Sequence, residues 1–170
     1  VSGVPGYNNV TATVSNPNGQ ADPNIANNSR SQSFLIYSGV GGAAVTEDYT
    51  SAVFPPTDWY NINGGNQNAG WSRSAAGFTA AGSAKMDFYN SPSGDVDALI
   101  LPSVDLSTYD NAIMTFSIAA ATYSTSNDNI KIKVSTNCGT TWNPIWNKTG
   151  ASLATVGSMT SAFTPSSAAQ

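Results

Sequence analysis

Short runs of alternating apolar and polar residues, separated by clusters of Gly, Pro, Asn and Ser, follow one another along the whole chain. Such alternation is typical of β-strands with one buried face, and no stretch shows the 3.6-residue periodicity of a helix. In NIKIKVS at 129–135, for example, Ile130, Ile132 and Val134 alternate with polar side chains. The pattern predicts an all-β protein, folded as an antiparallel jelly-roll β-sandwich. We expect strands over 7–15, 30–37, 43–49, 58–62, 70–74, 83–89, 98–101, 112–121, 129–135 and 141–148.

The first two predicted strands are set apart from the others by a glycine-rich stretch. Two strands alone are not a stable unit in water, so residues 1–38 are predicted to be a β-hairpin from the C-terminal part of an Ig-like spacer module. Residues 39–42 are predicted to be a linker, and residues 43–170 a jelly-roll domain. Because residues 151–170 contain no closing β run, we expect this domain to lack its last strand or strands.

Composition points to an extracellular protein. Charged residues make up 9 % of the chain, against roughly 25 % in an average soluble domain, and Ser, Thr, Asn, Gly and Ala take their place. The net charge of −4 argues against a nucleic-acid partner, since no basic stripe is present to contact phosphates. No apolar run approaches the ~20 residues that span a bilayer. We therefore expect a secreted or cell-surface protein that is not transmembrane.

The chain contains no histidine. Its absence excludes Ser-His-Asp and Cys-His arrangements, HExxH zinc sites and an imidazole base with a pKa near neutral pH. We predict that the chain is not an enzyme but a binding, adhesion or structural module of a larger protein. The alternative is an accessory domain of a secreted protease or glycosidase whose catalytic residues lie outside this region.

The single cysteine, Cys138, lies in the stretch VSTNCGTTW at 134–142. It has no internal disulfide partner, and a reactive thiol needs a neighbouring His, cation or helix N-terminus. The spacing Ser135-x-Asn137-x-Gly139-x-Thr141-Trp142 resembles the Asp box, a structural turn of sialidases and many other β proteins, with Asn in place of Asp. We expect a hairpin turn at 137–140, and a thiol that is either unreactive or paired between molecules.

Acidic residues suggest a calcium site. Ca²⁺ prefers about six to eight oxygen ligands from carboxylates, amides and backbone carbonyls, and Asp95 and Asp97 can project to one side of an extended segment. Glu47 is a further ligand from the first strand of the domain. The alternative is that these are solvated turn residues, since no EF-hand pattern is present. The candidate calcium ligands are Glu47, Asp87, Asp95 and Asp97.

Aromatic side chains supply the candidate ligand-binding surface. Exposed Trp and Tyr rings stack on sugars because their faces are flat and apolar, although most large aromatics are core residues. Pro144 predicts that the strand carrying Trp142 and Trp146 is an edge strand or an irregular one. The candidate ligand-binding residues are Trp59, Tyr60, Trp71 and Trp146.

Three stretches together resemble the MAM-like jelly-roll modules of secreted Bacteroidetes proteins, which are related to the cleaved-adhesin domains of gingipains. They are Phe54-Pro55-Pro56-x-x-Trp59, the segment Asp97–Ser107 with its DALILP and VDLS elements, and the cysteine-containing stretch 134–142. The resemblance covers about residues 43–156. The preceding piece, TATVSNPNGQADPNIANNSRSQSF, resembles the end of the Ig-like module that commonly precedes such a jelly roll.

The resemblance implies a non-catalytic β-sandwich that often carries structural calcium near its first strand and near the D-x-L-I-x-P loop. Carried onto this chain, Glu47 and Asp97 match best, and Asp48, Asp87 and Asp95 match less well. Such modules accompany secreted proteases and adhesins exported by the type IX secretion system to the bacterial cell surface. The expected partners are a glycan or protein ligand on a cell surface, or neighbouring domains of the same chain.

Overall fold

The structure is a computed structural model that describes residues 4–16, 19–36, 39–40, 44–64, 70–79 and 82–170. Strands dominate these residues, and helix among them is limited to two 3-10 turns, Ile25–Asn27 and Gly150–Ser152. The predicted all-β class is therefore confirmed, whereas the jelly-roll arrangement stays a prediction. The described strands are β1 (Gly6–Thr13), β2 (Ser29–Ile36), β3 (Gly39–Val40), β4 (Tyr60–Ile62), β5 (Ser72–Ser74), β6 (Ser83–Lys85), β7 (Ala98–Ile100), β8 (Ser103–Val104), β9 (Asn129–Val134) and β10 (Asn143–Thr149).

The chain divides into two compact units, Val1–Gly39 and Val40–Gln170. The boundary falls at the start of the predicted linker 39–42, of which residues 41 and 42 lie outside the described residues. Ala43, the first residue of a predicted strand, and Tyr37, the last residue of another, lie outside them as well. That these two units correspond to the predicted Ig-like and jelly-roll domains stays a prediction.

The first unit is an antiparallel hairpin of β1 and β2, with Gly6 opposite Ile36 at one end and Thr13 opposite Ser29 at the other. Polar side chains bond across one of its faces. The hydroxyls of Thr11 and Ser31 lie 2.7 Å apart, and Ser33 Oγ donates to Asn9 Oδ1 at 2.6 Å. Most side chains of both strands are exposed, so cross-strand polar pairs rather than burial join them.

Three antiparallel strand pairs lie among the described residues of the second unit. β4 pairs with β7, which places Asn61 opposite Leu99, and the β5–β6 pair lies between these two strands in sequence. β9 pairs with β10 as a hairpin, closed by the turn that contains Cys138. A bulge between Pro144 and Trp146 interrupts the pairing, which confirms the predicted irregularity, since proline has no N–H for the ladder.

Two predicted strands do not form. Over 44–49, polar side chains bond to the backbone and close turns, and Tyr49 has a left-handed φ of 57°, so the chain cannot stay extended there. Residues 112–119 form no strand either. Near the end of that segment, Thr155 N donates to Ala120 O at 2.8 Å, and Tyr123 makes an isolated parallel bridge to Met159. An alternating pattern of apolar and polar residues is therefore not enough to form a strand, because a strand also needs a partner to pair with.

Burial is unevenly distributed in the second unit. Among the described residues, the buried apolar side chains are Pro102 and Leu153. Leu153, at 6 % exposure, follows the 3-10 turn Gly150–Ser152. By contrast, Ile113 is 88 % exposed, in the segment whose predicted strand is missing. Within the described part of the chain, no helix is long and apolar enough to cross a bilayer.

Candidate functional site

A cavity of about 390 Å³ lies between the segment 44–59 and Pro102. Two carboxylates, Glu47 and Asp58, line it together with Trp59. We call it the Trp59 cavity. Its remaining lining combines three hydroxyl residues, Thr46, Ser51 and Thr57, with small apolar residues.

Local hydrogen bonds shape the wall that carries Glu47. The backbone N–H of Tyr49 donates to Glu47 Oε1 at 2.6 Å, so one oxygen of this half-buried carboxylate is fixed. Asp48 makes a second such turn, in which Thr50 donates to Asp48 Oδ1 through its backbone N–H at 3.0 Å and its hydroxyl at 2.8 Å. These two bonds hold the pKa of Asp48 below its usual value, because they stabilise the carboxylate.

Aromatic packing connects this wall to Trp59. The Tyr49 ring lies edge-on to Trp59, with centroids 6.1 Å apart and planes at 75°, and 6.4 Å from the ring of Phe54. Edge-to-face contacts of this kind are favourable for aromatic quadrupoles. Burial, and secondarily the charge of Glu47, raise the pKa of Tyr49 to about 12, because both disfavour the phenolate. Tyr49 therefore stays neutral beside the cavity.

The backbone behind the cavity is braced by Arg73. Arg73 Nε donates to the carbonyl of Tyr49 at 2.8 Å, and Nη2 lies 3.4 Å from the carbonyl of Thr50. Gly82 is buried against the same place, where a Cβ would collide with the Tyr49 carbonyl and lie 3.0 Å from Arg73 Nη2. The close packing of Gly82 and Arg73 against Tyr49 therefore positions the turn that carries Glu47.

Asp58 is a cavity residue that sequence reasoning missed. Its backbone has a left-handed φ of 65°, a conformation that non-glycine residues rarely adopt and that Asp tolerates better than most. Trp59 N donates to Pro56 O at 3.0 Å, which closes the turn before β4. The motif Pro56-x-x-Trp59 was visible in the sequence, but the conformation that brings Asp58 to the cavity was not.

Asp95 and Asp97 lie apart from the Trp59 cavity, in the loop before β7. Gly64 N donates to Asp97 Oδ1 at 2.9 Å, and Val96 N donates to Asp95 Oδ1 at 3.1 Å. The second oxygen of each carboxylate is shielded from solvent and has no hydrogen-bond donor among the described residues. Asn61 Oδ1, on β4, is in the same situation, while its amide nitrogen donates to Trp71 O at 2.7 Å.

Glu47 and Asp87 are placed differently from this pair. Glu47 lines the Trp59 cavity. Asp87 belongs to a turn, in which Asn90 Nδ2 donates to Asp87 Oδ2 at 2.9 Å and Ser91 Oγ donates to Asp87 O at 2.9 Å. Among the described residues, no three Cys, Asp or Glu side chains form a group that could hold a metal ion. Asp95 Oδ2, Asp97 Oδ2 and Asn61 Oδ1 are the shielded side-chain oxygens that lack a hydrogen bond among the described residues.

The other aromatic candidates are spread over the second unit. Tyr60 begins β4 opposite Ile100, and Trp71 precedes β5. Trp146, on β10, packs perpendicular to Phe116 with centroids 5.3 Å apart. All three are half-buried, and none lines the Trp59 cavity. Of the four predicted ligand-binding residues, Trp59 alone therefore lines it.

The turn at 135–141 has the hydrogen bonds expected of an Asp box. Asn137 Oδ1 accepts from Thr141 N at 2.9 Å and from Ser135 Oγ at 3.0 Å, and Asn137 Nδ2 donates to Thr141 Oγ1 at 2.8 Å. Ser135 Oγ accepts from Gly139 N at 2.8 Å, and Gly139 has a φ of 78°. The predicted turn is confirmed, and Cys138 is exposed at its tip as a free thiol.

These observations define two places of chemical interest in the second unit: the Trp59 cavity, and the loop of Asp95 and Asp97. The cavity combines an indole, hydroxyls and two carboxylates. The loop offers shielded carboxylate oxygens that have no donor among the described residues. No protein-family model, curated protein sequence or solved structure matches the chain.

Proposed function

We propose that this chain is a non-catalytic binding or adhesion module of a larger secreted or cell-surface protein, and that it contacts a glycan or protein ligand through the Trp59 cavity. In this proposal the second unit is a MAM-like jelly roll, preceded by the end of an Ig-like module. Neighbouring domains of the same chain are further partners. The low charge and the net charge of −4 support an extracellular setting without a nucleic-acid partner.

The cavity is the observation that carries the proposal. Binding sites for small ligands are concave, about 300–1,000 Å³ in volume, and lined by apolar surface with a few convergent polar groups. The Trp59 cavity, at about 390 Å³, has this size and this mixture. The lack of histidine supports binding without turnover, since no imidazole base is present.

Replacement of the indole tests the binding site. We expect Trp59→Ala to weaken a ligand found on a glycan array at least about tenfold, because buried aromatic anchors dominate small interfaces. Trp142→Ala is the matched control, since Trp142 is partly exposed but does not line the cavity. Melting temperatures should accompany both measurements. Unchanged binding by a folded Trp59→Ala protein would remove the cavity from the proposal.

The competing proposal is an accessory domain of a secreted protease or glycosidase. It fits the same lack of histidine, because the His-dependent triads and HExxH zinc sites of many secreted hydrolases cannot form from this chain. Peptidase and glycosidase assays on the full-length protein, with and without its other domains, distinguish the two. Activity that disappears when another domain is deleted favours the accessory role.

We further propose that calcium stabilises the second unit through Asp95 and Asp97. The shielded second oxygens of both carboxylates, and Asn61 Oδ1, have no hydrogen-bond donor among the described residues. Buried polar atoms normally have partners, and carboxylate and amide oxygens are the ligands that Ca²⁺ prefers. These oxygens therefore fit the ion better than Asp87, whose Oδ2 accepts from Asn90, or Glu47, whose Oε1 accepts from Tyr49 N.

Removal of the ion should lower stability. A ligand at a hundred times its dissociation constant adds about 2.7 kcal/mol to the unfolding free energy, so excess EDTA should lower the Tm by about 5–10 °C. Asp97→Asn should abolish this EDTA effect. Asp110→Asn, at an exposed carboxylate, should retain it. A melting curve that EDTA leaves unchanged argues against the site.

A further inference from the structure

The two carboxylates of the Trp59 cavity have no basic counterpart in its lining. Glu47 and Asp58 line the cavity, and none of the described Lys or Arg residues does. Arg73, which packs behind this wall, donates to the backbone carbonyls of Tyr49 and Thr50. A ligand that enters the cavity therefore meets two negative charges without a lining cation to neutralise them.

Local backbone geometry differs at the two carboxylates of the cavity. Glu47 is anchored by the 2.6 Å bond from Tyr49 N to Oε1, while its Oε2 makes no hydrogen bond to the described residues and remains an acceptor for a ligand. Asp58 is exposed, and its backbone has a left-handed φ of 65°. Strained conformations of this kind cluster at ligand-binding sites, where the surrounding structure maintains them.

The rest of the lining suits a hydroxylated ligand. Thr46, Ser51 and Thr57 bring three hydroxyl groups to the cavity, next to Trp59. Val53 N donates to Ser51 Oγ at 3.2 Å, so the Ser51 proton remains available as a donor. A lysine side chain could pair its ammonium group with the carboxylates, but its methylene chain has no group that bonds to these hydroxyls. A sugar pairs with them and presents an apolar ring face to an indole.

We propose that the Trp59 cavity binds an amino sugar with a free, protonated amine. The ammonium group contacts Glu47 and Asp58, the sugar hydroxyls bond to the Thr and Ser hydroxyls, and the ring lies against Trp59. This inference rests on the proposed binding function of the same cavity. It narrows that function from glycans in general to cationic ones, because an N-acetylated sugar lacks the charge that two carboxylates recognise.

The test compares two sugars that differ in this group alone. Glucosamine oligomers and N-acetylglucosamine oligomers of equal length should be titrated into the protein by calorimetry, below the pKa of the amine and at low ionic strength. We expect the glucosamine oligomer to bind at least about tenfold more tightly, since hydrogen bonds to charged groups are the stronger ones. Added salt should reduce this difference, because the cavity is open to solvent and its charges are screened.

Charge-removing variants assign the effect to the cavity. Glu47→Gln and Asp58→Asn should each weaken glucosamine binding about tenfold and leave N-acetylglucosamine binding unchanged. The control is Asp110→Asn, which removes the same charge at an exposed position outside the cavity. Since Glu47 also anchors the Tyr49 turn, Asp58→Asn is the variant that tests the charge without touching a described hydrogen bond.

Three results would overturn the inference. Equal affinity for the two oligomers, abolished by Trp59→Ala, rejects amine recognition and leaves glycan binding at the cavity in place. Binding of neither oligomer also rejects it, and the glycan array then decides the broader proposal by itself. Tighter binding of a lysine-rich peptide than of the glucosamine oligomer identifies a basic protein as the ligand instead.

Discussion

Gly82→Ala is expected to lower the melting temperature by about 2–12 °C. The added methyl group would collide with the Tyr49 carbonyl and lie 2.8 Å from the Tyr49 carbonyl carbon and 3.0 Å from Arg73 Nη2. Overpacking of this kind costs about 1–3 kcal/mol, and each kcal/mol corresponds to about 2–4 °C in a domain of this size. The shift should be visible by calorimetry or circular dichroism.

The control for this variant is Gly157→Ala. A Cβ at Gly157 has nothing within 4 Å, so the substitution should be neutral or slightly stabilising, because it restricts the unfolded chain. Since Gly82 packs against the turn that carries Glu47, Gly82→Ala should also weaken binding at the Trp59 cavity. Equal melting temperatures for the two variants would contradict the close packing of Gly82, Tyr49 and Arg73.

Asn137→Ala is expected to destabilise the protein by about 1–3 kcal/mol. The substitution removes the acceptor for Thr141 N and Ser135 Oγ and the donor to Thr141 Oγ1. Each net hydrogen bond contributes about 0.5–1.5 kcal/mol, and less where water replaces it easily. Urea denaturation should show a lower midpoint with an unchanged m-value, since the surface exposed on unfolding is the same.

Two further variants separate the turn chemistry from general damage. Asn137→Asp restores the residue usual in an Asp box and keeps the acceptor for Thr141 N, so its stability should lie near that of the parent protein. Thr136→Ala should also be nearly neutral, because the Thr136 side chain makes no hydrogen bond among the described residues. Loss of stability in Asn137→Asp equal to that in Asn137→Ala would show that the side-chain oxygen is not what stabilises the turn.

The sequence predicted the strands of both hairpins and also those of the distant β4–β7 pair, which lie within the predicted segments 58–62 and 98–101. β1 with β2 and β9 with β10 follow predicted segments within a few residues, because alternation and turn residues together specify a hairpin. The strand predicted over 43–49 does not form at 44–49, because the side chains of Glu47 and Asp48 bond to the backbone two residues further on. Such local bonds compete with extended structure, and alternation does not reveal them.

The candidate site was only partly predictable for a related reason. Trp59 and Glu47 were identified by residue type, but the cavity that they share depends on the left-handed conformations of Tyr49 and Asp58. Backbone conformation at a non-glycine residue is decided by its surroundings rather than by its own preference. Asn61 was missed because an amide in a strand looks like an ordinary solvent-facing residue until its oxygen is found to be shielded.

The polar pairs between β1 and β2 in the first unit do little to prevent one strand from shifting along the other. If β2 moved by two residues, Asn9 would face Ser31 and Thr11 would face Ser29, so a hydroxyl would again stand opposite each polar side chain. The pair that such a slip would destroy is Tyr7 opposite Leu35, at the open end. This apolar pair therefore favours the observed alignment, which the row of hydroxyls alone does not distinguish from the slipped one.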